Sequence, residues 1–180
     1  MKSSSLDKEG RAHNTLVQTT LAGLFVAASI LLSGVNFPRG PTKCYPFQHT
    51  VNVLAGALLG PWWASGAAFV TSLLRNMMGT GTLFAFPGSI PGAFLAGYAF
   101  RLFKKPWAAL AEPVGTGLIG AAIASLILGP AMGRSVGLWT LVVAFSASSV
   151  PGALLGGVLL HVLRKTPLAR YVQSGENGAK

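Results

Sequence analysis

The densest run of chemically capable side chains is Lys43-Cys44-Tyr45-Pro46-Phe47-Gln48-His49-Thr50-Val51-Asn52. A helix beginning by Phe47 puts Gln48, His49 and Asn52 near one another, because offsets of three and four share a helix face. Amides and an imidazole can hydrogen-bond a polar ring, while Tyr45 and Phe47 can stack on it. The same run also reads more plainly as a capped helix start with interfacial aromatics. Metal binding is not expected: Cys44 and His49 are two ligands without a third, too few for the usual zinc geometry. The single cysteine also excludes an internal disulfide.

A second polar stretch is Arg75-Asn76-Met77-Met78-Gly79-Thr80-Gly81-Thr82. Its two glycines let the backbone turn back and approach a ligand closely. An arginine at a membrane edge is a functional hypothesis by default, and a snorkelling anchor is the plainer alternative. Pro91 and Pro151 each remove a helical hydrogen bond and free the carbonyls of Pro87 and Ala147. Ser148 or Ser149, or a ligand, can answer the second. Glu112 followed by Pro113 reads as a helix start with the acid on the positive dipole end. The other option is a helix that begins at Pro106, which carries Glu112 into the bilayer as a ligand contact or packing acid.

The elements that must hold these residues are membrane helices. The chain has 180 residues, of which 51% are hydrophobic and only 10% charged, against roughly 25% charged in soluble domains. Between residues 15 and 163 the charged groups are Arg39, Lys43, Arg75, Arg101, Lys104, Lys105, Glu112 and Arg134. Eight charges cannot cover the surface of a soluble fold of that size, whereas lipid asks for no polar cover. The net charge of +10 does not point to nucleic acid, since the cations fall at ends and loops rather than in a stripe with aromatics. The N-terminus does not read as a signal peptide. Catalysis has little to work with. There is no phosphate-binding Gly-x4-Gly-Lys-Ser/Thr loop and no His-Glu-x2-His. Of four carboxylates only Glu112 lies near the bilayer, so a paired-carboxylate mechanism is ruled out.

Spans of roughly 20 apolar residues are expected at Leu16–Leu32, Leu83–Phe103, Pro113–Leu128 and Gly137–Leu163. Val51–Leu59 and Trp62–Leu74 add two short helices around the Gly60-Pro61 turn. The fold class is therefore an all-α bundle of about six transmembrane helices over residues 15–164, with tails at 1–14 and 165–180. Lysines and arginines mark the cytoplasmic side. With both termini inside, ten of them fall inside and four (Arg39, Lys43, Arg75, Arg134) outside. Both polar stretches then open to the exterior. Ser89–Gly97 and Ser149–Gly157 form an internal repeat, identical at six of nine positions with an offset of 60. Gly23-x3-Ala27 is a small-x3-small pattern suited to close helix packing.

Lys43–His49, Asn52-Val53, Leu59-Gly60-Pro61, Ser72–Asn76, Gly79–Thr82, Phe86–Ser89 and Gly115-Thr116-Gly117 resemble the ThiW family, over roughly Leu16 to Leu163. ThiW proteins are substrate-capture (S) components of energy-coupling factor (ECF) transporters. The resemblance implies a six-helix receptor in the cell membrane. It binds a thiamine precursor, specifically the thiazole moiety, from outside and hands it to a transmembrane coupling (T) subunit served by two ATPases. ATP is thus a cofactor of the partners, and none is expected in this chain. The resemblance also implies that Gly23 and Ala27 dock the coupling subunit. The family pattern there is Ala-x3-Ala, from which Gly23 departs. It supplies no thiazole ligands, so the expected binding set rests on the loops: Lys43, Tyr45, Phe47, Gln48, His49, Asn52, Arg75, Asn76, Thr80, Thr82 and Ser149. Two other functions stay open: capture of a different vitamin, and a membrane-embedded enzyme or assembly factor for a lipid-soluble substrate.

Overall fold

The computed structural model describes residues 2–39 and 42–166. Among these, six helices form one bundle. Helix α1 spans Lys2–Leu32. A hairpin of two three-residue strands follows, β1 (Phe37–Arg39) and β2 (Thr42–Cys44), with Phe37 opposite Cys44. Helix α2 covers Pro46–Leu59 and α3 covers Pro61–Met77. A short 3₁₀ turn at Leu83–Ala85 leads into α4, Ile90–Phe103. Helix α5 runs through Pro106–Ala131, and α6 through Leu138–Leu163. The all-α expectation holds, apart from the hairpin, whose strands are too short for alternation to show.

Proline and glycine set the boundaries. Pro46 and Pro61 sit in the first turns of α2 and α3, where a missing N–H costs nothing. Gly60 between them has φ 82°, in the left-handed region that glycine enters without strain. The two short helices and tight turn expected around Gly60-Pro61 are thus present. Pro91 also lies in a first turn, that of α4, so it opens a helix instead of breaking one. Pro151 does lie inside its helix. The same Ser-x-Pro-Gly-Ala sequence therefore starts α4 and lies within α6.

Helix α5 corrects the reading of Glu112. The helical run begins at Pro106, seven residues before Pro113 as the expected start. Glu112 is consequently not a cap at a helix entrance. It lies inside the bundle with no exposed surface. Two π-helical stretches, Val114–Gly120 and Ala124–Leu128, widen α5 beyond it, a distortion often found at functional sites. At the chain ends, α1 extends back into the stretch expected as an N-terminal tail, and residues 167–180 of the expected C-terminal tail lie outside the described residues.

Small residues let the helices approach. Helix α2 packs against α1, α3, α4 and α6, and Val53, Ala57, Ala99, Phe100, Ala153 and Leu160 fill one core cluster around it. A β-carbon at Gly56 would lie 2.7 Å from Gly97 N, and one at Gly97 2.6 Å from Pro61 N. Such contacts are what small residues buy between membrane helices. The outside is apolar instead of charged: Leu24, Leu31, Leu126, Ile127 and Val158 are exposed. Four segments are long and apolar enough to cross a bilayer: Asn14–Leu32, Leu83–Phe103, Pro106–Ala131 and Leu138–Leu163. Helices α2 and α3, at 14 and 17 residues, are shorter than the usual span.

Candidate functional site

The N-terminal turns of α2 and α4, the C-terminal turn of α3 and the middle of α6 meet at one end of the bundle. They enclose a polar centre built on Glu112. Its Oε1 receives three donors: His49 Nδ1 at 2.7 Å, Thr116 Oγ1 at 2.9 Å and Asn52 Nδ2 at 3.2 Å. Thr116 is one turn along α5 from Glu112, and His49 and Asn52 are one turn apart on α2, so two helices present paired side chains to each other. A carboxylate this deep needs such partners, because burying an unpaired charge is very costly. With Nδ1 donating to Glu112, the His49 ring is held in place, its Nε2 is the nitrogen left to the cavity it lines, and its tautomer is set. Glu112 Oε2 has no partner among the described residues.

A second layer joins α2 to α3 and α4. Gln48 Nε2 donates to Ser89 Oγ at 2.9 Å, and Asn52 Nδ2 to the same oxygen at 3.0 Å. Arg75 Nη1 donates to Gln48 Oε1. The guanidinium lies flat over the Tyr45 ring, with Cζ 3.5 Å from its centroid, a cation–π arrangement. Arg75 is only 1% exposed, yet its Nε and Nη2 have no hydrogen-bond partner among the described residues.

Two loops close the top. Thr80 N and Gly81 N both donate to Arg75 O, at 3.0 and 2.9 Å, so the chain after α3 folds back over Arg75. Gly79, at φ 71°, makes that reversal without strain. Tyr45 Oη donates to Thr80 O at 2.6 Å, strapping the hairpin side to this loop. Tyr45 N in turn donates to Ser148 Oγ of α6 at 2.7 Å. Beneath the strap is a cavity lined by Lys43, Tyr45, Gln48, His49, Arg75 and Thr82, with Phe84, Thr116, Phe145 and Ser148 completing the wall. Its free volume is about 30 Å³, room for a water molecule. The arrangement is closed.

Six of the eleven residues expected from the loops thus line one cavity: Lys43, Tyr45, Gln48, His49, Arg75 and Thr82. The other five do not. Asn52 stands behind the cavity and holds Glu112 and Ser89. Asn76 braces the loop through Ser72 O and Thr82 O, at 2.8 and 3.0 Å. Thr80 is exposed and contributes its carbonyl to the strap. Phe47 is half-buried off the cavity, and Ser149 is fully buried with its hydroxyl unpartnered. Thr116 and Ser148 are the hydroxyl-bearing lining residues outside the expected set. Both lie inside apolar helical runs, and only their pairing with Glu112 and Tyr45 distinguishes them. No group of three or more potential metal ligands exists among the described residues. Gly23 and Ala27 sit elsewhere, exposed on α1, and Gly23 borders an apolar groove with Trp62, Trp63 and Gly66 of α3.

Both halves of the repeat serve this centre. A β-carbon at Gly92 would collide with Thr116 Oγ1 and lie 2.6 Å from Glu112 Oε1; one at Gly152 would collide with Pro46 O and lie 2.7 Å from His49 Cβ. The two equivalent glycines therefore admit α5 against α4, and α2 against α6.

A family model described as thiamine-precursor transporter protein (ThiW) matches residues 19–166. Comparison with curated proteins and with solved structures finds no match.

Proposed function

Because the chain belongs to the ThiW family of thiamine-precursor transporters, we propose that it is the substrate-capture component of an ECF-type importer and that the closed cavity takes the hydroxyethylthiazole unit. The observation that carries this reading is the joining of a buried polar centre to a strapped aromatic lid. His49 presents Nε2, Thr116 and Ser148 present hydroxyls, and Tyr45 and Phe145 supply flat apolar walls. That set suits a small heterocycle with one hydroxyl-bearing arm, which needs few polar contacts and much ring contact. Entry requires the Tyr45–Thr80 strap to part, since the closed cavity admits little more than water. The chain then acts as a receptor whose lid shuts over its cargo. Catalysis is not part of this role, and ATP is hydrolysed by partner subunits.

In this reading the termini and the Arg101–Pro106 turn face the cytoplasm, all six helices cross the bilayer, and the cavity opens outward. A transmembrane coupling subunit and two ATPases complete the importer. The exposed small-residue surface at Gly23 and Ala27 is the docking face.

The test is to purify the protein, identify any retained ligand by mass spectrometry, and titrate hydroxyethylthiazole calorimetrically. Saturable binding of the unaltered molecule, weakened by His49→Ala, is expected. Tight binding of intact thiamine alone would remove the thiazole assignment and keep the receptor; chemical conversion of the ligand would remove the receptor.

Two further outcomes follow from the geometry. Tyr45→Phe removes the strap's hydrogen bond, worth about 0.5–1.5 kcal/mol, so ligand release should accelerate roughly 2- to 10-fold with little change in association. Stopped-flow displacement reads this, and an unaltered release rate would mean the strap does not gate. Nothing lies within 4 Å of a β-carbon at Gly23, so Gly23→Leu should fold and bind normally. Cellular uptake should nevertheless fall, and normal uptake in that variant would remove the docking face.

A further inference from the structure

Arg75 is the least explained group in the bundle. It is a cation with 1% exposure, and among the described residues no carboxylate reaches it. The one acid in the vicinity, Glu112, spends Oε1 on His49, Asn52 and Thr116 and is not part of the cavity wall. Tyr45 gives Arg75 a face, Gln48 takes Nη1, and Nε and Nη2 remain unpartnered in a lining side chain. A buried charge with unmet donors is strongly unfavourable on its own. The guanidinium is stacked on Tyr45 and residues 80 and 81 fold back over its backbone, so with the strap in place it lies beneath the loop.

Nε and Nη2 lie on one edge of the guanidinium, the edge that grips two oxygens of a carboxylate or phosphate in parallel. Lys43 lines the same cavity and adds a second positive charge. Thr82 and Ser148 bring hydroxyls to that wall. The cavity thus carries two cations and no acid on its lining.

We propose that the site captures its heterocycle in an anionic form, with a phosphate monoester or carboxylate on the ligand gripped by the Nε/Nη2 edge of Arg75. This rests on the reading of the cavity as the thiazole site and specifies the charge of what enters it. The ring lies toward His49 and Phe145, and the acidic arm lies under the Tyr45 strap. Lys43 draws the anion in at the mouth. A ligand with a fixed positive ring, such as the thiazolium of thiamine, meets the same two cations and is disfavoured.

The experiment measures the affinity of the full-length protein in neutral detergent for five probes: hydroxyethylthiazole, its phosphate monoester, the corresponding thiazole carboxylate, thiamine and inorganic phosphate. The phosphate monoester or the carboxylate should bind at least roughly 10-fold more tightly than the neutral alcohol, the scale of a charge-assisted contact. Thiamine should be weakest of the thiazoles. Arg75→Gln should erase the preference for the anion over the alcohol, and Arg75→Lys should restore part of it. The wild-type comparison decides even if both variants fail to fold. Equal or tighter binding of the alcohol overturns the anionic assignment and leaves thiazole capture standing. If no thiazole binds but inorganic phosphate does, in an Arg75-dependent way, the anion site stands and the thiazole reading fails. Silence from all five probes overturns both.

Discussion

Glu112→Ala should abolish measurable ligand binding and destabilise the detergent-solubilised protein by about 3–5 kcal/mol, because it strands three buried donors at once. Three donors converge on the oxygen that this change deletes: His49 Nδ1, Asn52 Nδ2 and Thr116 Oγ1. Each is buried, and each left unmet costs about 1–3 kcal/mol. Asn52 retains Ser89 as an alternative, so the three losses do not simply add. Glu112→Gln keeps one oxygen able to accept from these donors and puts an amide NH2 in place of the other, Oε2. It should lie between wild type and alanine in melting temperature, and lower ligand affinity roughly 10-fold because His49 is held less firmly. Thermal unfolding followed by tryptophan fluorescence, together with calorimetric titration, reads both quantities. A glutamine variant indistinguishable from wild type in both would show that the carboxyl group at 112 does nothing an amide cannot.

Gly152→Ala is expected to be nearly as damaging, although it adds one methyl group. That methyl would run into the carbonyl of Pro46 and come within 2.7 Å of His49 Cβ and 3.1 Å of Thr50 N. Two of these three obstacles are backbone, so α6 must move away from α2. Overpacking of this kind costs typically 1–3 kcal/mol. The displacement falls on the turn that carries His49, so ligand affinity should drop together with stability. Gly66→Ala is the matched control. Nothing lies within 4 Å of its added carbon, and alanine is favoured over glycine in a helix by about 1 kcal/mol. That variant should melt at or above the wild-type temperature. Equal melting curves and affinities for the two variants would mean that α2 and α6 are not in the close contact described.

The membrane bundle was legible because lipid leaves a simple signature, long apolar runs interrupted by cations. Leu83–Phe103 and the last helix emerge almost at their expected bounds. The polar loops were legible too, since Gln48, His49 and Arg75 stand out against their surroundings. Glu112 was harder. Local rules allow either a helix entrance at Glu-Pro or a helix from Pro106, and only tertiary packing decides for Pro106 and puts the acid in the core. Asn76 and Thr80 lie off the cavity and bond to backbone around the turn that follows α3, a role that loop polarity alone does not distinguish from ligand contact. Thr116 had no local chemical signal and Ser148 only its place beside the carbonyl that Pro151 frees, because one hydroxyl in an apolar helix acquires meaning only from what faces it.

The pairing of Glu112 with His49 and Asn52 also bears on how the chain is made. Helix α2, with 14 residues, is roughly 21 Å long at 1.5 Å per residue, and it carries Gln48, His49 and Asn52. Alone it is a poor candidate for release into lipid. Helix α5 brings an acid whose insertion is penalised, on the scale of roughly 2.5–3.5 kcal/mol measured for aspartate at a helix centre. Each helix supplies what the other lacks, but 60 residues of chain separate Asn52 from Glu112. The expected consequence is an order in assembly: the polar face of α2 finds its partner only once α5, synthesised much later, has joined the bundle.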